Sequence, residues 1–266
     1  MCPNCRAFIT TSDRTCPYCN EKVGPKAIDV RQPGEILGGL IPQAHFTTTL
    51  ILLINFALFA ATLWLQKTMG EAGALVALGG KYDPYIFGDH EWWRLLTAGF
   101  LHGGWIHILM NSWVLYDLGA QTEEVYSTPR FLVIYFVATV FGFYVSAIQS
   151  RALSIGASAG IMGLIGAMVA FGVANRTSMG RAIRNFYLRW VMYVLVMGYM
   201  LSGTDNWAHL GGLAAGFVVG YLGGTPVHSS AAKEGVWRVL AALCVLATVF
   251  SFFLVYTHFP TTEQLR

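Results

Sequence analysis

Seven stretches of this chain reach, or nearly reach, the roughly 20 apolar residues that span a bilayer. They are Phe46–Leu65, a stretch from near His102 to Leu118, Phe131–Ile148, Ser158–Val173, Phe186–Leu201, Trp207–Leu222 and Val236–Tyr256. Only 12% of the residues are charged, about half the share found in soluble domains. The expected fold class is therefore an all-α polytopic membrane protein. The first and seventh stretches read as plain lipid-facing spans. The second, fourth and sixth are different, because polar residues cluster at their N-terminal ends. A single polar residue in a membrane helix commonly does no more than pack against a neighbour, so clustering matters more than presence. The opening "MCPNCRAFIT" lacks the apolar run of a secretory signal, so the first stretch is expected to act as an uncleaved anchor. A formal charge of +3 gives no reason to expect a nucleic-acid partner.

Lys and Arg placement predicts orientation. Arg6, Arg14, Lys22, Lys26 and Arg31 precede the first span. Arg176, Arg181 and Arg184 follow the fourth, and Lys233 and Arg238 follow the sixth. The N-terminus is expected in the cytosol and, with seven spans, the C-terminus outside.

Ahead of the membrane come Cys2-Pro-Asn-Cys5 and, ten residues on, Cys16-Pro-Tyr-Cys19. Two C-x₂-C pairs point to zinc, each turn placing two thiolates on one tetrahedral ion. Two disulfides are the competing reading, disfavoured where thiols stay reduced. Four protein ligands would leave zinc no open position, so the ion is expected to be structural, and so short a head has too little core to fold without it. Cys244, among apolar residues of the seventh span, reads as ordinary packing. The expected organisation is a zinc ribbon at 1–24, a Gly- and Pro-rich linker at 25–45, a six-helix core at 46–222, and a loop, seventh helix and tail at 223–266.

The second, fourth and sixth spans run the same way, so their N-terminal ends share the outer side of the membrane. Those ends carry His102, His107 and Asn111, then Ser158, then His209. Strongly polar groups at membrane depth mark a functional site by default. Gly212, Gly216 and Gly220 recur every four residues, and Gly156, Gly160, Gly163 and Gly166 crowd the fourth span. Small residues let membrane helices approach closely, which would bring Ser158 within reach of His209. A serine hydroxyl needs a base to become a nucleophile, and His209 is the candidate. His107 and Asn111, four apart on one face, are candidate donors to a developing oxyanion, as is the backbone N–H of Ser158 at a helix start.

Together "HGGWIHILMN", "GASAG" around Ser158, "AHLGGLAAG" around His209 and Trp93-Arg94 in "EWWRLLTAGF" resemble the rhomboid intramembrane serine proteases from about Phe46 to Tyr221. The resemblance implies Ser158 as nucleophile, His209 as base in a dyad without an acid, and an oxyanion hole of His107, Asn111 and the Ser158 N–H. It implies supporting roles for His102, Trp93, Arg94, Glu123 and the glycines Gly156, Gly212 and Gly216. It also implies a six-plus-one helix layout, membrane-anchored protein substrates, no catalytic cofactor, and a bacterial plasma membrane with the site open to the extracytoplasmic side. Met162 departs from the pattern: many relatives carry there an aromatic ring stacked on the histidine. Asp205 reads as a loop residue, and His45, His90, His228 and His258 as solvated or interfacial. Two other classes compete. An inactive rhomboid-like client-binding protein usually lacks the serine or the histidine. A transporter with broken helices should show inverted repeats and intramembrane charges, and neither is present.

Overall fold

The computed structural model describes Cys5 and residues 15–21, 46–201 and 203–260. Cys2 and the expected linker lie outside the described residues. The chain divides into two units, Met1–Gln43 and Ala44–Arg266.

In the first unit, residues 16–21 fold back on themselves. The N–H of Asn20 donates to Cys16 O at 2.9 Å and that of Cys16 to Glu21 O at 2.8 Å. Asn20 takes the left-handed conformation (φ 56°) that asparagine tolerates. Such a turn brings Cys16 and Cys19 to one side.

The second unit is built from seven long helices: α1 (Phe46–Ala77), α2 (Trp105–Tyr126), α3 (Thr128–Gln149), α4 (Ser158–Ala174), α5 (Ser178–Met200), α6 (Asn206–Gly223) and α7 (Ala231–Thr257). By length and composition, α1, α3 and α7 are able to cross a membrane, and α4 is apolar but shorter. The helices overrun the apolar stretches that announce them. α1 continues to Ala77 through a break at Gly70 (φ 73°, ψ 167°). α5 begins at Ser178, capped by the Thr177 hydroxyl, which accepts from Gly180 N at 3.1 Å. α2 begins only at Trp105, so His102 lies in the turn before it. Hydropathy detects where a helix meets lipid, whereas caps decide where it starts and stops.

α4 is the centre. Every residue from Ala159 to Ala170 is buried, as expected of a helix apolar on all sides, and it packs against α2, α3, α5 and α6. The pairing with α6 is backbone against backbone. A Cβ added to Gly212 would lie 2.1 Å from Ala159 O, one on Gly216 2.0 Å from Gly163 O, and one on Gly220 2.9 Å from Ala167 Cα. Both numbers of each pair climb by four, so the two helices run parallel and in register. With 17 residues, α4 is about 26 Å long, less than the ~30 Å hydrocarbon core, which leaves room for its first residue to be recessed.

The connection from α1 to α2 folds into three short helical turns (Pro84–Gly88, Arg94–Thr97 and Ala98–Phe100), and its Arg94 is 4% exposed. Its Nε pairs with the Glu91 carboxylate. Its Nη1 donates to Val76 O at 2.7 Å and Gly80 O at 3.2 Å, and its guanidinium lies over the Tyr85 and Trp93 rings at 4.5 and 4.7 Å. A buried guanidinium is tolerable only when so fully paired. Glu123, at the far end of α2, accepts from the hydroxyls of Thr47 (2.9 Å) and Thr128 (2.6 Å), joining three helices. α7 is fastened at its start by the Arg130–Glu234 ion pair, with two contacts of 2.8 and 2.7 Å. Near its other end Phe252 meets Phe100 edge-on at 5.4 Å.

The α4–α6 contact makes a direct prediction. Gly216→Leu should lower stability by about 1–3 kcal/mol or more, because backbone rather than a movable side chain occupies the space. Thermal unfolding in detergent should show a depressed midpoint, whereas Gly235→Leu, at a position with nothing within 4 Å of an added Cβ, should leave it unchanged.

Candidate active site

Ser158 opens α4 and is half-buried. Two residues before it, Gly156 has φ +124°, a conformation that glycine alone adopts readily. A Cβ there would also lie 2.7 Å from His107 Nε2 and 3.6 Å from Asn111 Nδ2. The same measurement locates the donors: one turn apart on α2, both direct their polar ends at the segment that delivers Ser158. Asn111 is 8% exposed and His102 fully buried, with the His102 and His107 rings 5.0 Å apart and edge-on.

His209 lies in the first turn of α6 and is 5% exposed. A Cβ on Gly142 of α3 would sit 2.6 Å from Ala208 O and 3.0 Å from Ala159 Cβ. The residue after Ser158 and the residue before His209 therefore border the same point of α3, so the backbones carrying the two side chains are neighbours. No hydrogen bond joins the two side chains, and among the described residues the buried His209 Nδ1 has no hydrogen-bond partner. Ser158 and His209 thus lie in the first turns of α4 and α6, His107 and Asn111 in the first two turns of α2, and His102 just before α2.

Asp205 caps α6. Its Oδ1 accepts from Ala208 N at 3.0 Å and its Oδ2 from the Ser146 hydroxyl. Among the described residues it makes no hydrogen bond to the His209 ring. Met162 is 1% exposed and belongs to the main apolar core, and among the described residues no aromatic ring stacks on His209. Trp93 is half-buried beside Arg94, its ring 5.9 Å from that of His258.

Three partners escaped the reading of the sequence. Glu91 pairs with Arg94 at a spacing of three, a signal that was readable. Ser146 reaches Asp205 across 59 positions, and Gly142 sits where α3, α4 and α6 converge. Nothing local marks either of them.

In the other unit, the sulfurs of Cys5, Cys16 and Cys19 all lie within 4.8 Å of one another, and Cys5 Sγ is 3.6 Å from Cys16 Sγ. A disulfide would hold them at about 2.05 Å. Two thiolates on one tetrahedral zinc, each bonded at about 2.3 Å, sit ~3.8 Å apart, so the three sulfurs fit such an ion.

Comparison with known proteins agrees with the fold. The model of the rhomboid domain matches residues 89–226, just over half of the chain. Rhomboid protease GluP of Bacillus subtilis is 34% identical over 190 residues, covering 71% of this chain and 36% of that protein. RHOMBOID-like protein 4 of Arabidopsis thaliana is 32% identical, with 56% of this chain and 38% of that protein covered. Rhomboid-like protease 1 of Toxoplasma gondii is 27% identical over 88% of this chain and 89% of its own length. The chain thus spans little more than a third of the first two relatives. With its seven-helix bundle and a rhomboid domain covering all of the polar helix ends, this integral membrane protein belongs to the rhomboid family.

Proposed function

We propose that the chain is an intramembrane serine endopeptidase that cleaves the transmembrane segments of membrane-anchored proteins with a Ser158–His209 dyad. The observation that carries this reading is the meeting at Gly156: His107 Nε2 and Asn111 Nδ2 aimed at the segment that ends in Ser158, on a helix in register with the one bearing His209. In this reading His209 takes the Ser158 proton as Oγ attacks the scissile carbonyl. The charge that grows on the carbonyl oxygen is met by His107, Asn111 and the Ser158 N–H. His209 then delivers the proton to the leaving amine, and a water deprotonated by His209 attacks the acyl group and frees it in the reverse sense. Catalytic hydrogen bonds in unliganded enzymes are often long and tighten when substrate is bound, so an unbonded Ser158–His209 pair suits a resting state. No third acid takes part, since the Asp205 carboxylate is engaged at the α6 cap. The substrate helix has to unwind locally, because its carbonyls are otherwise held in helical hydrogen bonds.

The distribution of Arg and Lys supports an orientation with the N-terminus in the cytosol and the site open to the extracytoplasmic side; a bacterial plasma membrane is part of the proposal. His102, Trp93 and Arg94 support the site and do not touch the reacting bond. In the head, Cys2, Cys5, Cys16 and Cys19 would hold one structural zinc ion. That ion would supply folding energy to a segment too small to fold otherwise, and a further protein partner for the head is part of the proposal.

Two expectations follow. Purified full-length protein in detergent should cleave a model transmembrane substrate. Ser158→Ala and His209→Ala should each lose at least about 1000-fold, and Asn111→Ala about 100- to 1000-fold. Cleavage unaffected by Ser158→Ala would overturn the protease reading and favour the client-binding one. For the head, elemental analysis should find about one zinc per chain, reduced by Cys5→Ser or Cys16→Ser, with detergent cleavage rates unchanged.

A further inference from the structure

Lys81 has no place in the reaction just described, yet it is fully buried. It sits in the connection between α1 and α2 and grips the 150–157 segment, which links α3 to Ser158. Its main chain forms a two-bond antiparallel bridge with Ser154: each N–H donates to the other's carbonyl at 3.0 Å. Its side chain then crosses back, Nζ donating to Ser150 O at 2.6 Å and Ala152 O at 3.0 Å. One residue therefore holds the segment at three successive alternate positions.

The grip is linked at both ends. On one side Arg94 Nη1 donates to the carbonyl of Gly80, immediately before Lys81. There the two segments run so close that a Cβ on Gly80 would lie 2.9 Å from Leu153 Cδ1. On the other side Gly156 N donates to Ala98 O at 2.9 Å, closing the segment against the same connection two residues before Ser158. Burial draws the Lys81 ammonium below its ordinary range, and the carboxylates of Asp205 and Asp83 oppose that shift. Asp205 is also the cap of the helix that bears His209. An exposed lysine on a connecting loop is ordinarily a solvated tether. A buried one spending its donors on two carbonyls next to a nucleophile's approach is a structural bolt.

We propose that Lys81 is a positioning residue: its ammonium locks the 150–154 segment to the α1–α2 connection and thereby sets the depth of Gly156 and Ser158 relative to His107, Asn111 and His209. The inference rests on the protease reading. Displacing a nucleophile by about 1 Å costs on the order of 100-fold in rate, and the loss falls on the chemical step because the side-chain hydrogen bonds of Lys81 go to the Ser150 and Ala152 carbonyls, within the segment that delivers Ser158.

The test uses the full-length protein in detergent, well below the unfolding midpoint of each variant. Two quantities are compared: kcat and KM on a transmembrane substrate, and the rate at which a small fluorophosphonate labels Ser158, which needs no substrate docking. Lys81→Met should lower both kcat and the labelling rate by about 10- to 100-fold, with KM within about twofold. Lys81→Arg, which keeps cationic donors, should recover much of both. Labelling of Lys81→Met at the wild-type rate, or a change in KM alone, overturns the proposal. So does a Lys81→Arg variant no faster than Lys81→Met at matched stability. Should Lys81→Met not fold, Lys81→Gln decides: slower labelling at unchanged KM supports the role, and wild-type labelling overturns it. A wild type that labels no faster than Ser158→Ala overturns the protease reading, and this inference with it.

Discussion

The contact on which this molecule depends is the backbone-to-backbone packing of α4 on α6. Gly212, Gly216 and Gly220 press on Ala159, Gly163 and Ala167 so closely that an added methyl would overlap main-chain atoms at the first two positions. In hydrocarbon no hydrophobic drive pulls helices together, because lipid tails are as apolar as leucine. Association relies on dispersion and close approach. Three contacts at a four-residue repeat also fix a register, since sliding one helix past the other would drive side chains into main chain. That register decides the level of Ser158 against His209. The site's geometry is thus a consequence of glycine placement about one to three turns below it.

Around this pair the structure spends its buried polar groups on posture. Arg94 gathers Glu91, two carbonyls and two rings into one knot in the α1–α2 connection. Glu123 joins α1, α2 and α3 at their common end. Asp205 closes the α6 cap and holds Ser146 of α3. Each such group would be costly in hydrocarbon if unpaired, and pairing turns that liability into a directional constraint that apolar packing lacks. Asp205 lies close to His209 in sequence, where an acid invites a triad assignment, yet its hydrogen bonds are made to the cap and to Ser146.

The helices were legible because lipid imposes a length and a polarity that composition reports directly. The polar ends were legible too, because alternation of spans puts every second helix start on one side. His107 and Asn111 share a face by helical period alone. The boundaries were less readable. α5 begins eight residues before its apolar stretch, at a Thr177 cap within a polar, arginine-rich turn. Gly142, Ser146 and Lys81 carried no local sign of their positions, since each acquires meaning only from partners 59 or more positions away or on another helix.

By itself, then, the chain of residues determined that this is a seven-helix membrane protein with a serine, histidines and an asparagine at three co-directional helix starts. Those facts depend on hydropathy and period, which are local properties. Only the tertiary structure decided that α4 is the buried centre and that α4 and α6 meet in a register placing Ala159 and Ala208 on one point of α3. It alone revealed the bridge between Lys81 and the segment that brings in Ser158. These depend on which surfaces meet, and in a bilayer that choice rests on shape and on pairing of buried polar groups between distant positions, which no local pattern records.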